Sequence, residues 1–200
     1  MAETVVKRTG YTNETAKAFL VDAGAVYKNL KYDQASKKWK GELLGATEDG
    51  NKVKIEVKTR DIKIDGTFSM YKGQKQIEST NAELEVKVKE LTHSNIALAI
   101  LGKARAAEAT EAPDNYQVIE GTSKLTNDQY LTNIGLVGTV TGSSEPVVII
   151  LDNALCVSGL EVDFKDNSEA VATLKFQAHA DEDQVADRKL PCRIYYPQLT

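Results

Sequence analysis

Hydrophobic residues in this chain recur mostly at every second position, the period of a strand buried on one face and wet on the other. The clearest run is Ala82, Leu84, Val86 and Val88, alternating with Glu83, Glu85, Lys87 and Lys89. A second run, Val53, Ile55 and Val57, alternates with Lys52, Lys54, Glu56 and Lys58. Its apolar positions are odd-numbered, whereas Ile62 and Ile64 are even. A face of period two cannot change parity without an extra residue, so a bulge or break is predicted between Thr59 and Asp61. If the two runs are neighbours, their charges can pair across the strands for roughly 0.2–1 kcal/mol each.

The same pattern organises the rest of the chain. Ala18 to Tyr27 reads as a strand bent at Gly24, and Lys28 to Lys40 as a long polar loop. Asp49-Gly50 between two strand-like runs predicts a hairpin turn, and Asp65-Gly66 and Lys72-Gly73 predict two more turns. Thr92 is a plausible N-cap for one helix, with Ile96, Ala97, Ile100 and Leu101 at helical spacing. Gly102 could close that helix, or the Ala-rich stretch could carry it to about residue 107. Strands are expected again at Ile134–Thr141, Val147–Leu151, Leu160–Phe164 and Ala170–Ala180. Val147-Val148-Ile149-Ile150-Leu151 has no polar alternate, so it is covered on both faces or lies in a subunit interface. Tyr195, Tyr196 and Pro197 end the chain as a short edge. The resulting expectation is a mainly β fold, with residues 1–16 as an N-terminal arm and 17–200 as a single domain.

Composition supports this and adds exclusions. The 200 residues are 42% hydrophobic, enough to bury a core without disulfides or a structural metal. The 17 Val, 11 Ile and 17 Thr favour strands. A net charge of −4 argues against a surface that coats nucleic acid. No apolar stretch is long enough for a signal peptide or a membrane span, so synthesis in a reducing cytoplasm and no membrane contact are expected. Cys156 reads as a buried small hydrophobe, and a bridge to Cys192 is not expected.

The search for chemistry finds little. Phosphate-cradling glycine motifs and a nucleophile elbow are missing. His93 and His179 read as capping or surface residues, and Asp181 to Asp187 as a solvated acidic loop lacking the oxygen ligands and glycine of a calcium site. Lys31, Lys37, Lys38 and Lys40, interleaved with Tyr32 and Trp39, read as a surface loop or a basic contact to an acidic partner rather than a nucleic-acid patch. The chain is expected not to be an enzyme and to use no cofactor or metal.

One resemblance emerges from the order of segments. Leu44 to Asn51, Arg60 to Gly66, Lys72-Gly73, the Ala82–Glu90 strand and the Thr92-capped helix come first. Pro146 to Cys156, Ala172 to His179 and Arg193 to Tyr196 follow. Together they resemble the major tail protein, or tail tube protein, of long-tailed phages. The resemblance implies a β-sandwich or partial barrel with one flanking helix, completing a larger barrel when six copies form a ring. Stacked rings would make the tail tube in the virion, a channel for DNA ejection. Partners would be further copies of the chain, the tape measure protein, the tail terminator and baseplate-side tail proteins, with DNA passing transiently and unspecifically.

Within that scheme Val53, Ile55, Val57, Leu84, Val86 and Val88 are assigned to the core, and Lys54, Glu56, Glu83, Glu85 and Lys87 to the lumen. Lys31, Tyr32, Lys37, Lys38 and Trp39 are assigned to a loop reaching a neighbouring subunit. The competing readings are a β-sandwich module binding carbohydrate or a cell surface, and an enzyme with a dispersed carboxylate pair. The first should show an exposed aromatic cluster, the second a deep pocket with shifted titrating groups.

Overall fold

A computed structural model describes residues 9–12, 14–113 and 115–199. Most of the expected N-terminal arm lies outside them. After a 3₁₀ turn at Thr15–Ala18, ten strands and two short helices follow. The strands are β1 (Leu20–Asp33), β2 (Lys38–Leu43), β3 (Thr47–Asp61), β4 (Lys75–Val88), β5 (Lys103–Ala106), β6 (Gln117–Glu120), β7 (Leu131–Val140), β8 (Val147–Cys156), β9 (Ala172–Gln177) and β10 (Cys192–Tyr195). The helices are α1 (His93–Ala99) and α2 (Glu182–Ala186).

The fold is mainly β. The large sheet runs β2-β1-β7-β8-β9-β4-β3, all antiparallel, with β10 also paired to β8. β8 turns the corner: its first half pairs with β10, its end with β9. The sheet then curls back on itself. Asn51 of β3 donates through Nδ2 to the Ala23 carbonyl of β1 at 2.9 Å. The result is a partial barrel. Its core is built by alternate residues of several strands: Val26, Leu84, Val86, Val88, Ile134, Leu151, Leu174 and Phe176 are all buried.

Several expected elements take a different form. Lys28 to Lys40 is not a loop. β1 bends at Asn29, which has φ 52°, and continues to Asp33 before turning into β2. Asp49 and Gly50 make no hairpin turn: their positive φ values of 57° and 77° serve a bulge inside β3, where the register shifts between Thr47 and Asn51. The break expected within β3 between Thr59 and Asp61 is not there: β3 keeps its odd residues on one side through Thr59, Ile62 and Ile64 lie beyond its end, and the nearby register shift, at Lys58/Thr59, belongs to the partner strand. The extra residue is Glu78 on β4, since Lys58 pairs with Ser79 and Thr59 with Ile77. Leu160–Phe164 is no strand; only Val162 bridges to Ala172, because the segment's flanking residues are solvated and charged.

The helix α1 ends at Ala99, well short of residue 107. Thr92 caps its start, accepting from Asn95 N at 3.2 Å. At its end Leu101 takes φ 53°, and the amides of Leu101 and Gly102 donate back to Leu98 and Ala97. This closure satisfies the last carbonyls and turns the Ala-rich stretch into β5, paired with β6. Ladder pairing outweighs the helix propensity of alanine here. The acidic run is likewise not a loop but α2, where Asp181 caps Gln184 N at 2.8 Å.

The uninterrupted Val147–Leu151 run is covered on both faces. Leu151 joins the main core, while Val148 and Ile150 join a second cluster with Leu30. That cluster depends on Asn133, which is buried. Its Oδ1 accepts from Leu30 N at 2.7 Å and its Nδ2 donates to Leu30 O at 3.1 Å. Asn133→Ala would strand both backbone groups. The expected loss is about 2–4 kcal/mol, read from urea unfolding, with Leu30 and the β1 bend released first in hydrogen exchange.

Candidate functional site

The β3–β4 hairpin carries most of the residues singled out from the sequence. Both strands keep one face inward: Val53 pairs with Leu84, Ile55 with Ala82 and Val57 with Thr80. Leu84, Val86 and Val88 are fully buried and Val53 packs against them. Ile55 and Val57 do not reach the core, although they stand on its side of the sheet. They are 37% and 52% exposed because the hairpin runs past the end of the barrel. Beyond the bulge Ile77, 65% exposed, continues the same apolar face. At the tip, Ile64, Phe68, Met70 and Tyr71 are exposed as well. The tip is ordered by its own bonds: Ile62 N donates to Gln74 O at 2.7 Å, and Tyr71 N to Gln74 Oε1 at 2.6 Å.

The opposite face holds Lys54, Glu56, Glu83, Glu85 and Lys87, and its charges are interleaved. Lys52 lies across from Glu85, and Lys54 from Glu83. Lys54 reaches Glu56 at 2.8 Å, Lys175 of β9 reaches Glu83 at 3.0 Å, and Lys87 reaches Asp49 at 3.0 Å. Lys175, then Asn81, hold the Glu83 carboxyl below its ordinary range. Lys54, Lys87 and Lys175 of this face are thus each paired with a carboxylate of the same chain.

Lys31, Tyr32, Lys37, Lys38 and Trp39, read from sequence as one loop, are brought together as a hairpin. Tyr32 on β1 pairs with Trp39 on β2, and Asp33 with Lys38; Lys37 sits in the turn at φ 51°. A residue the sequence reading left out joins them: Tyr195 of β10. Its ring lies 4.9 Å from Trp39, whose other neighbour is Tyr32 at 5.5 Å. These rings wall a groove of about 560 Å³, also lined by Leu30, Asn133 and Arg193. A second groove of about 670 Å³ continues past Trp39 to the turn Ser143–Pro146 and to Tyr196 and Pro197. Arg193 is fixed by Asp152 at 2.5 Å, and Asp152 also accepts from Gln184 at 3.0 Å. The C-terminal Tyr-Tyr pair was the available signal for this site. Its pairing with Trp39 is a contact between strands remote in sequence.

The isolated candidates stay apart. His93 opens α1 and is exposed. His179 lies just beyond β9, its Nδ1 3.1 Å from Gln177 O and its ring against Tyr130. Cys156 is buried and Cys192 half-buried, both free. Among the described residues no His, Cys, Asp and Glu cluster forms a metal site, and no helix is long and apolar enough to cross a membrane.

No protein-family model matches the chain, and no curated protein matches it. Among solved structures, it is similar to a chain in the cryo-EM structure of the anti-feeding prophage baseplate, 6-fold symmetrised. The TM-score is 0.42 at 13% identity, over 86% of this chain and 91% of that one.

Two measurements test this electrostatic description. Burial, and secondarily Asp152, push the Cys192 thiol up to about 11 from 9.0. Thiol labelling near pH 8 is expected to run roughly 100-fold slower in the folded protein than in urea. Glu83 has a depressed folded pKa. Its contribution is therefore present above the ordinary carboxylate range and lost as pH falls below it. Glu83→Gln should cost up to about 1 kcal/mol at pH 7 and nothing measurable near pH 2.

Proposed function

We propose that this chain is a structural, non-enzymatic subunit of a phage-type tail, self-assembling into six-membered rings that stack into a tube. The observation that carries this reading is the overhanging β3–β4 hairpin. A strand pair that extends an apolar face beyond its own barrel leaves surface suited to burial against another molecule. The order of segments noted in the sequence supports the same class. The hairpin would join a neighbour's sheet to complete a larger barrel, with Lys54, Glu56, Glu83, Glu85 and Lys87 toward the lumen. Their internal pairing suits a channel that DNA traverses without being held, since compensated charges offer little net attraction to phosphate. Partners in this reading are further copies, a tape measure protein and proteins at the two tail ends, with synthesis in the host cytoplasm.

The exposed aromatic cluster favours a second reading, a module binding carbohydrate or a cell surface. Against it, the rings lean on one another at 65° and 60° rather than lying flat as a platform for a sugar. Glycan-array binding lost on Trp39→Ala would favour this second reading.

Negative-stain microscopy of concentrated protein is expected to show rings or tubes of uniform width. The triple variant Phe68→Ser, Met70→Ser, Ile77→Thr should fold with unchanged circular dichroism, since exposed positions contribute within about 0.5 kcal/mol. It should nevertheless fail to assemble at the wild-type concentration. Monodisperse wild-type monomer at every concentration would overturn the reading.

A further inference from the structure

Two surfaces of this chain are complementary yet cannot meet within one molecule. The first is the groove beside Trp39. Its hairpin carries Lys31, Lys37 and Lys38, all exposed and without an ion-pair partner among the described residues; Lys40 is already paired with Asp33. Aromatic walls thus stand beside an uncompensated positive rim. The second surface is the segment 157–171 between β8 and β9. Phe164, near its middle, is 90% exposed. Glu161 and Asp166 flank it, exposed and without ion-pair partners among the described residues, while Asp163 is held by Lys165 at 3.2 Å.

The two lie at opposite ends of β8. Tyr195, in the groove, pairs with Val148 near the start of the strand, and the turn Ser143–Pro146 leads into it. The segment 157–171 departs from Cys156 at the other end. At about 3.3 Å per residue, the strand rises roughly 20 Å from Ile150, in the groove lining, to Cys156, and roughly 26 Å from Val148.

We propose that the Phe164 segment of one copy seats in the Trp39 groove of the next. The proposal rests on the reading of the chain as a self-assembling subunit and specifies one contact of that assembly. Phe164 would fill the space among Tyr32, Trp39 and Tyr195, edge to face with the rings. Glu161 and Asp166 would meet the three lysines, which sets register and makes association salt-dependent. Unlike patches at opposite ends make a head-to-tail interface, which closes into a ring or propagates along an axis. The other exposed aromatic segment, the hairpin tip around Phe68, fits this groove less well: it brings Lys63 and Lys72 against a single carboxylate, Asp65. Helix α2 is acidic, but it offers only Val185 as an apolar knob, and Asp181 is committed to its cap.

Mixing two defective copies tests the contact directly. A knob variant (Phe164→Ser, Glu161→Gln, Asp166→Asn) keeps the groove. A groove variant (Lys31→Glu, Lys37→Glu, Lys38→Glu) keeps the knob. All six positions are exposed, so both should fold, as circular dichroism can verify. Each alone is expected to self-associate at least about tenfold more weakly than wild type by sedimentation velocity. Mixed, they should form a one-to-one dimer that grows no further through this contact and dissociates as salt is raised. Absence of that dimer, or wild-type assembly by either variant alone, would overturn the contact. A mixed dimer alongside wild-type protein that never forms rings would instead uphold the contact and refute the tail-tube reading.

Discussion

A strand cannot change which face a residue points to except through a bulge, and β3 and β4 are longer than the core they close. Most features of this molecule follow from that constraint. Where β9 and the rest of the barrel lie opposite, the inward face of β4 is Ala82, Leu84, Val86 and Val88, and it is sealed. Where the barrel ends, the alternation continues, so Ile55, Val57 and Ile77 present the same face to solvent. The Glu78 bulge keeps this apolar side continuous by restoring Ile77 to the inward register opposite Thr59. At roughly 25 cal/mol per Å² of apolar surface, leaving such residues wet forgoes real stability. An unassembled monomer gains nothing in return.

The polar face obeys the same constraint with a different outcome. Antiparallel register puts Lys52 against Glu85 and Lys54 against Glu83, and β9 adds Lys175 from the far side. Each such exposed pair contributes little to stability. Their effect is on the field: each local pair cancels most of its own long-range attraction, so the face is less positive than its lysines alone would make it. Asp49, delivered by the bulge in β3, extends the same compensation to Lys87.

The strands were legible in the sequence wherever one face was buried and the other wet, because alternation is then required by burial itself. Ala82–Lys89 and Ala172–Ala178 are the plain cases. Where sequence reading failed, tertiary partners decided. Lys28 to Lys40 shows no hydrophobic period because one buried alternate position is a lysine, Lys28, and beyond the Asn29 bend Leu30 packs in a different cluster, with Val148 and Ile150, its backbone held by Asn133. Asp49-Gly50 has the chemistry of a tight turn, yet positive φ serves a bulge equally well. Leu101, not Gly102, adopts the left-handed closure of α1, and the backbone of Gly102 lies so close to Glu120 that a Cβ would come within 2.4 Å of its carbonyl oxygen. The aromatic site was half visible: Tyr32 and Trp39 stood together in sequence, but Tyr195 joins them only through the pairing of β10 with β8.

These placements carry a common logic. Exposed hydrophobic residues occur over much of the surface, and two groups of them lie on the hairpin overhang and tip and on the Phe164 segment. Such surfaces risk unspecific aggregation unless something sets which partner they accept. In the proposed contact the groove beside Trp39 would supply that control, its lysine rim favouring a knob with carboxylates and its ring walls an aromatic one. In that contact, unlike patches would favour head-to-tail addition over a self-complementary pair that ends at a dimer. Were the proposed contact to form, copies would add in one direction, and the length of β8 would set the step between one contact and the next.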